Sequence, residues 1–261
     1  MILFNYINIH LPFNKQLNNQ KFYLMKKIIK LLIPPLLKPS FIKNIFLNLI
    51  RDENKFEYDK GPYNRSSFIL RCLAHKDIQN CKYLEIGTCD DLVFNDIPLN
   101  IENKIGVDPE KGGTLRMTSD EFFSENKQKF DVIFIDGLHE YAQCKKDLLN
   151  SIKYLNHNGV ILMHDCLPRN SFEEAVPRKQ SVWNGDVWKV IAEVNNSLGL
   201  DYVIANIDRG VGIIIPKKNY EFKDIIGIEQ KRFEDYINIF YPKFNVVSPI
   251  KALKFIDSNL S

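Results

Sequence analysis

The stretch Phe130–Tyr141, FDVIFIDGLHEY, restricts the fold of this chain more than any other part of the sequence. Its apolar residues 132–135 form a continuous run, which is typical of a parallel β-strand covered by helices on both faces. Asp136 and His139 follow shortly after the run. Because open α/β sheets bind ligands at the carboxyl ends of their strands, the stretch predicts a central strand with functional side chains at its end.

A second apolar run, at residues 159–163, repeats this arrangement and ends in His164 and Asp165. Between the two runs, residues 141–155 carry apolar side chains every three or four positions, which indicates one buried face of a helix. A right-handed connection of this kind places the two strands side by side. We therefore expect the polar residues after both runs to converge at one edge of the sheet. The two aspartates among them would repel each other unless a cation or a proton lay between them.

The same alternation of strands and helices extends over residues 63–216, which we interpret as the central domain. Strands alternating with helices and closing with a hairpin predict an α/β fold, namely a doubly wound, Rossmann-like and mostly parallel sheet with an antiparallel edge hairpin. A last helix is predicted at residues 183–198. The further strands are predicted at residues 82–88 with their turn, 104–107, 201–207 and 211–215.

The two ends of the chain differ from this domain. We interpret residues 1–62 as a basic, apolar helical extension and residues 217–261 as a C-terminal helical extension. The first fifty residues contain no Asp or Glu, and their apolar run LLIPPLL is broken by Pro34 and Pro35 and is too short to span a bilayer. Such a segment could contact an anionic membrane surface peripherally. We favour the alternative that it packs on the domain.

Composition limits the classes of function. The formal charge of +3 and the pI near 8.4 are mild, and acids accompany the basic residues after residue 50, so no nucleic-acid partner is predicted. The five cysteines form no CxxC pair and no metal-finger spacing, which suits a reducing compartment and predicts a cytoplasmic protein. No feature of the sequence indicates an oligomeric state.

The turn after the first predicted strand, Glu85–Asp91, indicates which cofactor the edge can bind. A dinucleotide site uses several glycines so that the backbone can approach a pyrophosphate, whereas this turn has only Gly87. Asp90 and Asp91 would also repel a pyrophosphate. S-adenosylmethionine carries a sulfonium and an ammonium group and no phosphate, so acids in the turn favour it. Asp108, after the second predicted strand, is placed to accept both ribose hydroxyls.

Six motifs, in this order, resemble a family of bacterial class I S-adenosylmethionine-dependent methyltransferases. They are EIGT (85–88), VDPEKGGT (107–114), TSDEFF (118–123), FDVIFIDGLHEY (130–141), GVILMHD (159–165) and GDVWKV (185–190). The resemblance implies O-methylation of a sugar or other hydroxyl acceptor, often in polysaccharide or secondary-metabolite biosynthesis. The pair Asp90–Asp91 departs from the family, in which a small residue or glycine is common. The implied cofactor contacts are Glu85, Gly87, Thr88, Asp108, Ser119 and Asp136.

The edge residues are also similar to those of metal-dependent sugar and catechol O-methyltransferases. That likeness implies a divalent cation such as Mg²⁺ at Asp136 and Asp165, where it would bind the acceptor hydroxyls, and a general base at His139. His164 is a further catalytic candidate, but imidazole suits softer ions than Mg²⁺, so another divalent ion or none stays open. Since His139 begins the predicted helix, the positive helix end is expected to keep its imidazole neutral.

Two other classes of function remain open. A metal-binding, hydroxylase-like enzyme on the same fold would keep the edge residues without transferring a methyl group. A non-catalytic binding module would need neither converging His and Asp nor the acid after the second strand. The acceptor is expected to be a small molecule or a glycan. Arg169, Arg178 and Lys179 could hold an anionic acceptor such as a sugar nucleotide.

Overall fold

The computed structural model describes residues 53–260, so most of the predicted N-terminal extension lies outside the described residues. Residues 53–62 form an irregular segment. None of the helices after it has the length and apolar composition needed to cross a bilayer.

The helices are α1 (Arg65–Leu73), α2 (Leu92–Asp96), α3 (Ser119–Glu125), α4 (Tyr141–Lys153), α5 (Ser171–Glu174), α6 (Trp188–Asn196), α7 (Phe233–Asp235) and α8 (Pro249–Leu260). The strands are β1 (Tyr83–Ile86), β2 (Lys104–Val107), β3 (Phe130–Ile135), β4 (Leu155–Met163), β5 (Leu198–Ala205), β6 (Val211–Glu221) and β7 (Val246–Val247). Short 3-10 turns lie at Ile101–Asn103, Ile228–Gln230 and Tyr241–Lys243, and a π-helical turn lies at Tyr236–Phe240.

These strands form one sheet in the order β2-β1-β3-β4-β6-β5-β7. Neighbours among β2, β1, β3 and β4 pair in parallel. Strand β6 runs antiparallel to both β4 and β5, and β7 is parallel to β5. The prediction of a doubly wound, mostly parallel Rossmann-like sheet that closes with a hairpin is confirmed.

Strand β6 lies inside the sheet, between β4 and β5, rather than at the edge. Helix α6 carries the chain from β4 past one strand position before β5 begins, and a tight turn at residues 207–210 returns β6 into that position. Asp208 and Arg209, the central residues of this turn, have φ values of 48° and 63°. Positive φ at both central residues is typical of a type I′ hairpin turn. Strand β5 therefore stays parallel to β4, and both carboxyl ends reach the same edge.

Helices cover both faces of the sheet. Ile133 and Ile135 of β3 pack with α4 and α6 on one face, and Val132 and Phe134 pack with α1 and α8 on the other. All four side chains are at most 2% exposed. Burial of each contributes about 1.5–3 kcal/mol. This two-sided burial explains why the apolar run of β3 is continuous, as the sequence predicted.

Helix α6 begins later than predicted, at Trp188 instead of residue 183. Gly185 has a φ of 60°, which a helix cannot accommodate. The N–H groups of Asn184 and Gly185 both donate to the backbone oxygen of Glu173, at 2.9 and 3.0 Å. Residues 183–187 therefore form a loop that reaches the carboxyl-end edge of the sheet.

Candidate active site

A cavity of about 930 Å³ opens at the carboxyl ends of β1, β2 and β3. His139 lines this cavity, whereas His164 and Asp165 do not and are 2% and 0% exposed. The lining comes from the turn after β1, the loop after β2, the start of α3 and the residues after β3. It includes all six residues that were predicted to contact the cofactor, namely Glu85, Gly87, Thr88, Asp108, Ser119 and Asp136.

Gly87 allows the turn after β1 to approach the end of β3. Its φ of 85° lies in the left-handed region that favours glycine, and a Cβ at this position would lie 2.3 Å from the backbone oxygen of Asp136. The surrounding backbone is held by hydrogen bonds from the Gly87 N–H to the Val107 oxygen and from the Asp136 N–H to the Ile86 oxygen, both at 2.8 Å. The one glycine of the turn is therefore required by the packing of two strand ends.

Asp108 follows β2, and its carboxylate is held by the backbone. Oδ1 accepts hydrogen bonds from the N–H groups of Glu110 at 2.8 Å and Lys111 at 2.9 Å, and Oδ2 accepts one from Cys89 at 3.0 Å. Burial would raise the pKa of this carboxyl, but the three backbone hydrogen bonds outweigh it and lower the pKa. The side chain lines the cavity and is 12% exposed. A fixed, ionised acceptor is the group that two ribose hydroxyls need.

Glu85, on β1, is a buried acid that lines the same cavity. Its Oε2 accepts a hydrogen bond from the Tyr83 hydroxyl at 2.6 Å. Burial raises the pKa of Glu85 to about 8, although the Tyr83 hydroxyl works in the opposite direction. An ammonium group beside this carboxyl would favour its ionised form. Glu85 is therefore suited to recognise the positive end of a ligand.

The pair Asp90–Asp91, which departs from the resembled family, is divided between two environments. The Oδ1 atom of Asp91 accepts the Gly113 N–H at 2.6 Å, so this residue supports the loop after β2 and does not line the cavity. Asp90 is exposed and does line it. Only one of the two negative charges therefore faces a bound ligand.

An ionic cluster lies at the carboxyl-end edge of the sheet. Arg65, the first residue of α1, donates from Nη1 to Asp136 Oδ2 at 2.7 Å. Its Nε and Nη2 atoms donate to the two carboxylate oxygens of Asp208, each at 2.9 Å. The Nε atom of Arg209 lies 3.1 Å from Asp165 Oδ1. The hairpin turn between β5 and β6 thus contributes one negative and one positive side chain to the cluster.

His164 is a buried link within this cluster. Its Nδ1 lies 3.0 Å from both Asp136 Oδ1 and Asp165 Oδ2, and its Nε2 lies 2.8 Å from the backbone oxygen of Asp208. Burial favours neutral imidazole, but the charges of Asp136 and Asp165 outweigh it and raise the pKa of His164 well above its ordinary value. His164 is buried and does not line the cavity, so it is not placed to contact an acceptor. Its catalytic role stays a prediction.

His139 lies between two acids at the cavity wall. Its Nε2 is 3.4 Å from Asp136 Oδ1, its Nδ1 is 3.2 Å from Asp165 Oδ2, and its ring stacks on Trp183 with 5.1 Å between the centroids. Burial lowers the pKa of this imidazole, but the contact with Asp136 and the two carboxylate charges outweigh it and raise the pKa. His139 does not lie within the helix, because α4 begins only at Tyr141, and the nearby carboxylates raise its pKa, opposite to the effect expected of the helix end.

Donor types suited to the predicted divalent cation meet here, but other groups of the protein already contact them. Donor atoms of Asp136, His139 and Asp165 lie within 4.8 Å of one another. However, the ring nitrogens of His139 already face the two carboxylates, Nε2 toward Asp136 and Nδ1 toward Asp165. Asp136 Oδ2 is also bonded to Arg65. Protein groups therefore already contact these donors, and a divalent ion at Asp136 and Asp165 stays a prediction.

The two aspartates also do not need an external cation. Both Asp165 oxygens lack a partner in good hydrogen-bond geometry, yet nitrogens of His139, His164 and Arg209 lie 3.0–3.2 Å from them. At these separations the groups interact as ion pairs, because the Coulomb energy depends on distance more than on angle. Protein cations therefore compensate the repulsion that the sequence argument assigned to an added ion.

Three residues of the cluster, Arg65, Asp208 and Arg209, were not predicted from the sequence. Asp208 and Arg209 could have been predicted, because they follow a predicted strand whose carboxyl end lies at the same edge of the sheet as the carboxyl ends of the other strands. Asn64 caps α1 by accepting the Ser67 N–H at 3.1 Å. This capping pattern marks where the helix begins, but it does not indicate what the adjacent arginine reaches.

Residues 107–166 match the family model described as a methyltransferase domain, which is less than half of the 261-residue chain. The match supports an S-adenosylmethionine-dependent methyltransferase family. Comparison with curated proteins gives no match. Similar solved structures include cofactor-bound Rv0187 from MTB, with 13% identity, a TM-score of 0.46 and coverage of 71% of this chain and 100% of that chain. An O-methyltransferase from Bacillus cereus in complex with SAH has 14% identity, a TM-score of 0.43 and coverage of 73% and 96%. A putative O-methyltransferase from Klebsiella pneumoniae has 15% identity, a TM-score of 0.44 and coverage of 74% and 95%.

The matched methyltransferase segment begins at the end of β2 and ends just after β4. It contains Asp108, the predicted ribose acceptor, and His139. Glu85, Arg65 and Asp208 lie outside it. The cavity is therefore completed by β1, α1 and the β5–β6 turn, which the match does not cover.

Proposed function

We propose that this chain is an S-adenosylmethionine-dependent O-methyltransferase. The observation that carries the proposal is one cavity that holds Asp108 and Glu85 on the side of β1 and β2 and His139 on the side of β3. The carboxylate of Asp108 would accept the ribose hydroxyls, and Glu85 would meet the ammonium group of the methionine end. The match to a methyltransferase domain over residues 107–166 supports this use of the cavity.

In this proposal His139 acts as the general base. It lines the cavity, and in its neutral form Nδ1–H can donate to the Trp183 backbone oxygen at 3.1 Å, which leaves Nε2 to accept a proton. When bound, S-adenosylmethionine supplies a methyl group on a positively charged sulfur. His139 would remove the proton of the acceptor hydroxyl as its oxygen takes the methyl group, and S-adenosylhomocysteine would leave with the C–S electron pair. Because a hydroxyl is a weak nucleophile until its proton leaves, base assistance of this kind contributes about 10²- to 10⁴-fold in rate. Because the pKa of His139 is raised, a higher pH is needed to populate the neutral form that can act as a base.

The acceptor is proposed to be a sugar or another hydroxyl compound with an anionic group, such as a sugar nucleotide. Of the three basic residues considered for this role, Arg178 lines the cavity, whereas Arg169 is paired with Glu173 at 2.7 Å. The guanidinium of Arg178 lies 5.7 Å from the ring centroid of Trp183, which in turn stacks on His139. An anion held by Arg178 would therefore lie close to the base. A place in polysaccharide or secondary-metabolite biosynthesis follows from the resemblance and is part of the proposal.

A metal-dependent form of the same reaction, with Mg²⁺ or another divalent ion at Asp136 and Asp165, is the alternative. Its support is the set of donor atoms around His139, and the cations already paired with those acids count against it. A cytoplasmic location and peripheral membrane contact through the N-terminal segment also remain predictions.

Mass spectrometry of the purified, undenatured protein tests the proposal. We expect copurifying S-adenosylmethionine or S-adenosylhomocysteine, or saturable binding of either by calorimetry at micromolar concentration. If the protein, freed of copurifying ligand, binds neither compound, the methyltransferase function is refuted. If the cofactor binds but hydroxyl acceptors are not methylated, the O-methylation step would be wrong while the cofactor site would stand.

A further inference from the structure

We propose that Arg65 is the resident cation of this site, which occupies the position of a divalent metal ion and makes the site independent of added metal. The inference rests on the proposed function for its catalytic consequence. The exclusion of metal ions by Arg65 can be measured without any methyl transfer.

Both carboxylate oxygens of Asp136 are already contacted by nitrogens of the protein. Its Oδ2 accepts a hydrogen bond from Arg65 Nη1 at 2.7 Å, and its Oδ1 lies 3.0 Å from Nδ1 of the buried His164. Nη1 of the arginine and Nδ1 of the histidine are themselves only 3.1 Å apart. A divalent ion bound to Asp136 would therefore have to share an oxygen with one of these groups and lie directly beside it.

Arg65 is anchored at this position. Its guanidinium makes a bidentate contact with the Asp208 carboxylate, and its backbone N–H donates to Asp208 Oδ2 at 3.1 Å. Bidentate geometry is available to arginine and not to lysine. The side chain of Arg65 is 19% exposed and lines the cavity. The cation is therefore fixed by the fold and also in contact with the space that a ligand would fill.

Charge balance also disfavours a further cation at this position. Three carboxylates meet here, those of Asp136, Asp165 and Asp208. The guanidinium groups of Arg65 and Arg209 lie at ion-pair distance from them, and Nδ1 of His164 lies 3.0 Å from both Asp136 and Asp165. Mg²⁺ would add two further positive charges beside two guanidinium groups that cannot lose their protons. Coulomb repulsion therefore adds to the steric exclusion of the ion.

In the proposed reaction, Arg65 is a positioning residue. It holds Asp136, which lies 3.4 Å from Nε2 of His139, so the base keeps its orientation when the acceptor arrives. The described residues accept one hydrogen bond from Nη2, and that nitrogen carries two hydrogens. The guanidinium therefore also retains a donor beside the cavity.

The test compares Mn²⁺ binding by the full-length parent, Arg65→Met and Arg71→Met, using the electron paramagnetic resonance signal of free Mn²⁺. Arg71 is the matched control, because it lies on the same helix and also pairs with an aspartate, Asp257 at 2.6 Å, but on an exposed surface. We expect no saturable binding by the parent or the control up to about 1 mM, the range of weak carboxylate sites. Arg65→Met should bind Mn²⁺ at least about tenfold more tightly, and adding Asp136→Asn should abolish that gain.

Thermal melting establishes whether Arg65→Met is folded. If it is not, Arg65→Met with Asp208→Asn replaces it, because this pair of changes leaves no unpaired carboxylate at position 208 and preserves the donors at Asp136, His139 and Asp165. Binding of Mn²⁺ by the parent that Asp136→Asn removes would overturn the proposal. Folded variants without Arg65 that gain no Mn²⁺ affinity would overturn it as well. Binding of S-adenosylhomocysteine, measured on the same samples, reports separately on the proposed function.

Discussion

Replacing Asp108 separates the recognition of ribose from the folding of the loop after β2. The carboxylate accepts three backbone hydrogen bonds, at 2.8, 2.9 and 3.0 Å, and lines the cavity. Asp108→Ala removes all three acceptor contacts together with the charge. Asp108→Asn keeps one side-chain oxygen, which can still accept the N–H groups of Glu110 and Lys111, and replaces the oxygen that accepts from Cys89 with a donor.

The two variants should therefore differ in stability but not in cofactor affinity. At about 0.5–1.5 kcal/mol per hydrogen bond, Asp108→Ala should lower the free energy of unfolding by about 1.5–4.5 kcal/mol and Asp108→Asn by about a third of that. Loss of a charge-assisted contact to the ribose costs about 1.5–3 kcal/mol in either variant, which weakens S-adenosylhomocysteine binding by about one to two decades. The pKa of Asp108 is lowered in the fold, so its contribution to stability is present above its unfolded pKa of about 3.9 and is lost as pH falls.

Urea unfolding and calorimetry with S-adenosylhomocysteine measure the two quantities. Asp90→Asn is the control, because Asp90 lines the same cavity and, within residues 53–260, its side chain accepts one long contact, from the Leu92 N–H at 3.4 Å. We expect this control to bind within about threefold of the parent. Unchanged affinity in Asp108→Asn would refute the ribose role. If Asp108→Ala lost about three times as much binding free energy as Asp108→Asn, in proportion to their losses of stability, Asp108 would act only through the loop.

Three further changes test other parts of the cavity. His139→Ala should lower kcat by about 10²- to 10⁴-fold while leaving cofactor affinity nearly intact. The kcat of the parent should rise as pH increases through the raised pKa of His139. Loss of cofactor binding in the variant would contradict the base role. Burial raises the folded pKa of Glu85 to about 8, so the protonated form stabilises the fold, and the parent should lose stability as pH rises to about 8. Glu85→Gln should not show this loss. Equal urea midpoints of the parent at pH 5 and pH 9 would contradict the prediction. Gly87→Ala should cost at least about 2 kcal/mol, since its Cβ would meet the Asp136 oxygen at 2.3 Å; an unchanged melting temperature would refute the close approach.

The sequence placed the central part of the site because that part depends on strand order and on little else. Asp136 and His164 each follow a strand directly, and Ile135 of β3 pairs with Met163 of β4 in the sheet. Once the two apolar runs are recognised as neighbouring parallel strands, the residues after them must meet. The same argument identifies Asp108, at the end of β2.

Residues outside the strand ends could not be placed in this way. The position of Arg65 depends on how α1 packs on the sheet, which buried residues such as Phe68 decide only in three dimensions. The protonation of His139 depends on carboxylates brought from two strands, whereas the sequence shows only its place near a helix start. The insertion of β6 between β4 and β5 requires the path of α6 across the sheet, and the hairpin signal alone cannot specify it.

The hairpin turn between β5 and β6 also determines when the site can form during synthesis. Asp208 is 143 residues from Arg65 in the chain, and a chain emerges from the ribosome with its N-terminal part first. A nascent chain that ends before this turn already contains β1 to β4 and every residue of the matched segment, yet Arg65 lacks its bidentate partner and His164 lacks the carbonyl that accepts from Nε2. The ionic cluster is therefore complete only after the last strands have joined the sheet, and long-range closure of this kind is slow compared with the formation of local helices.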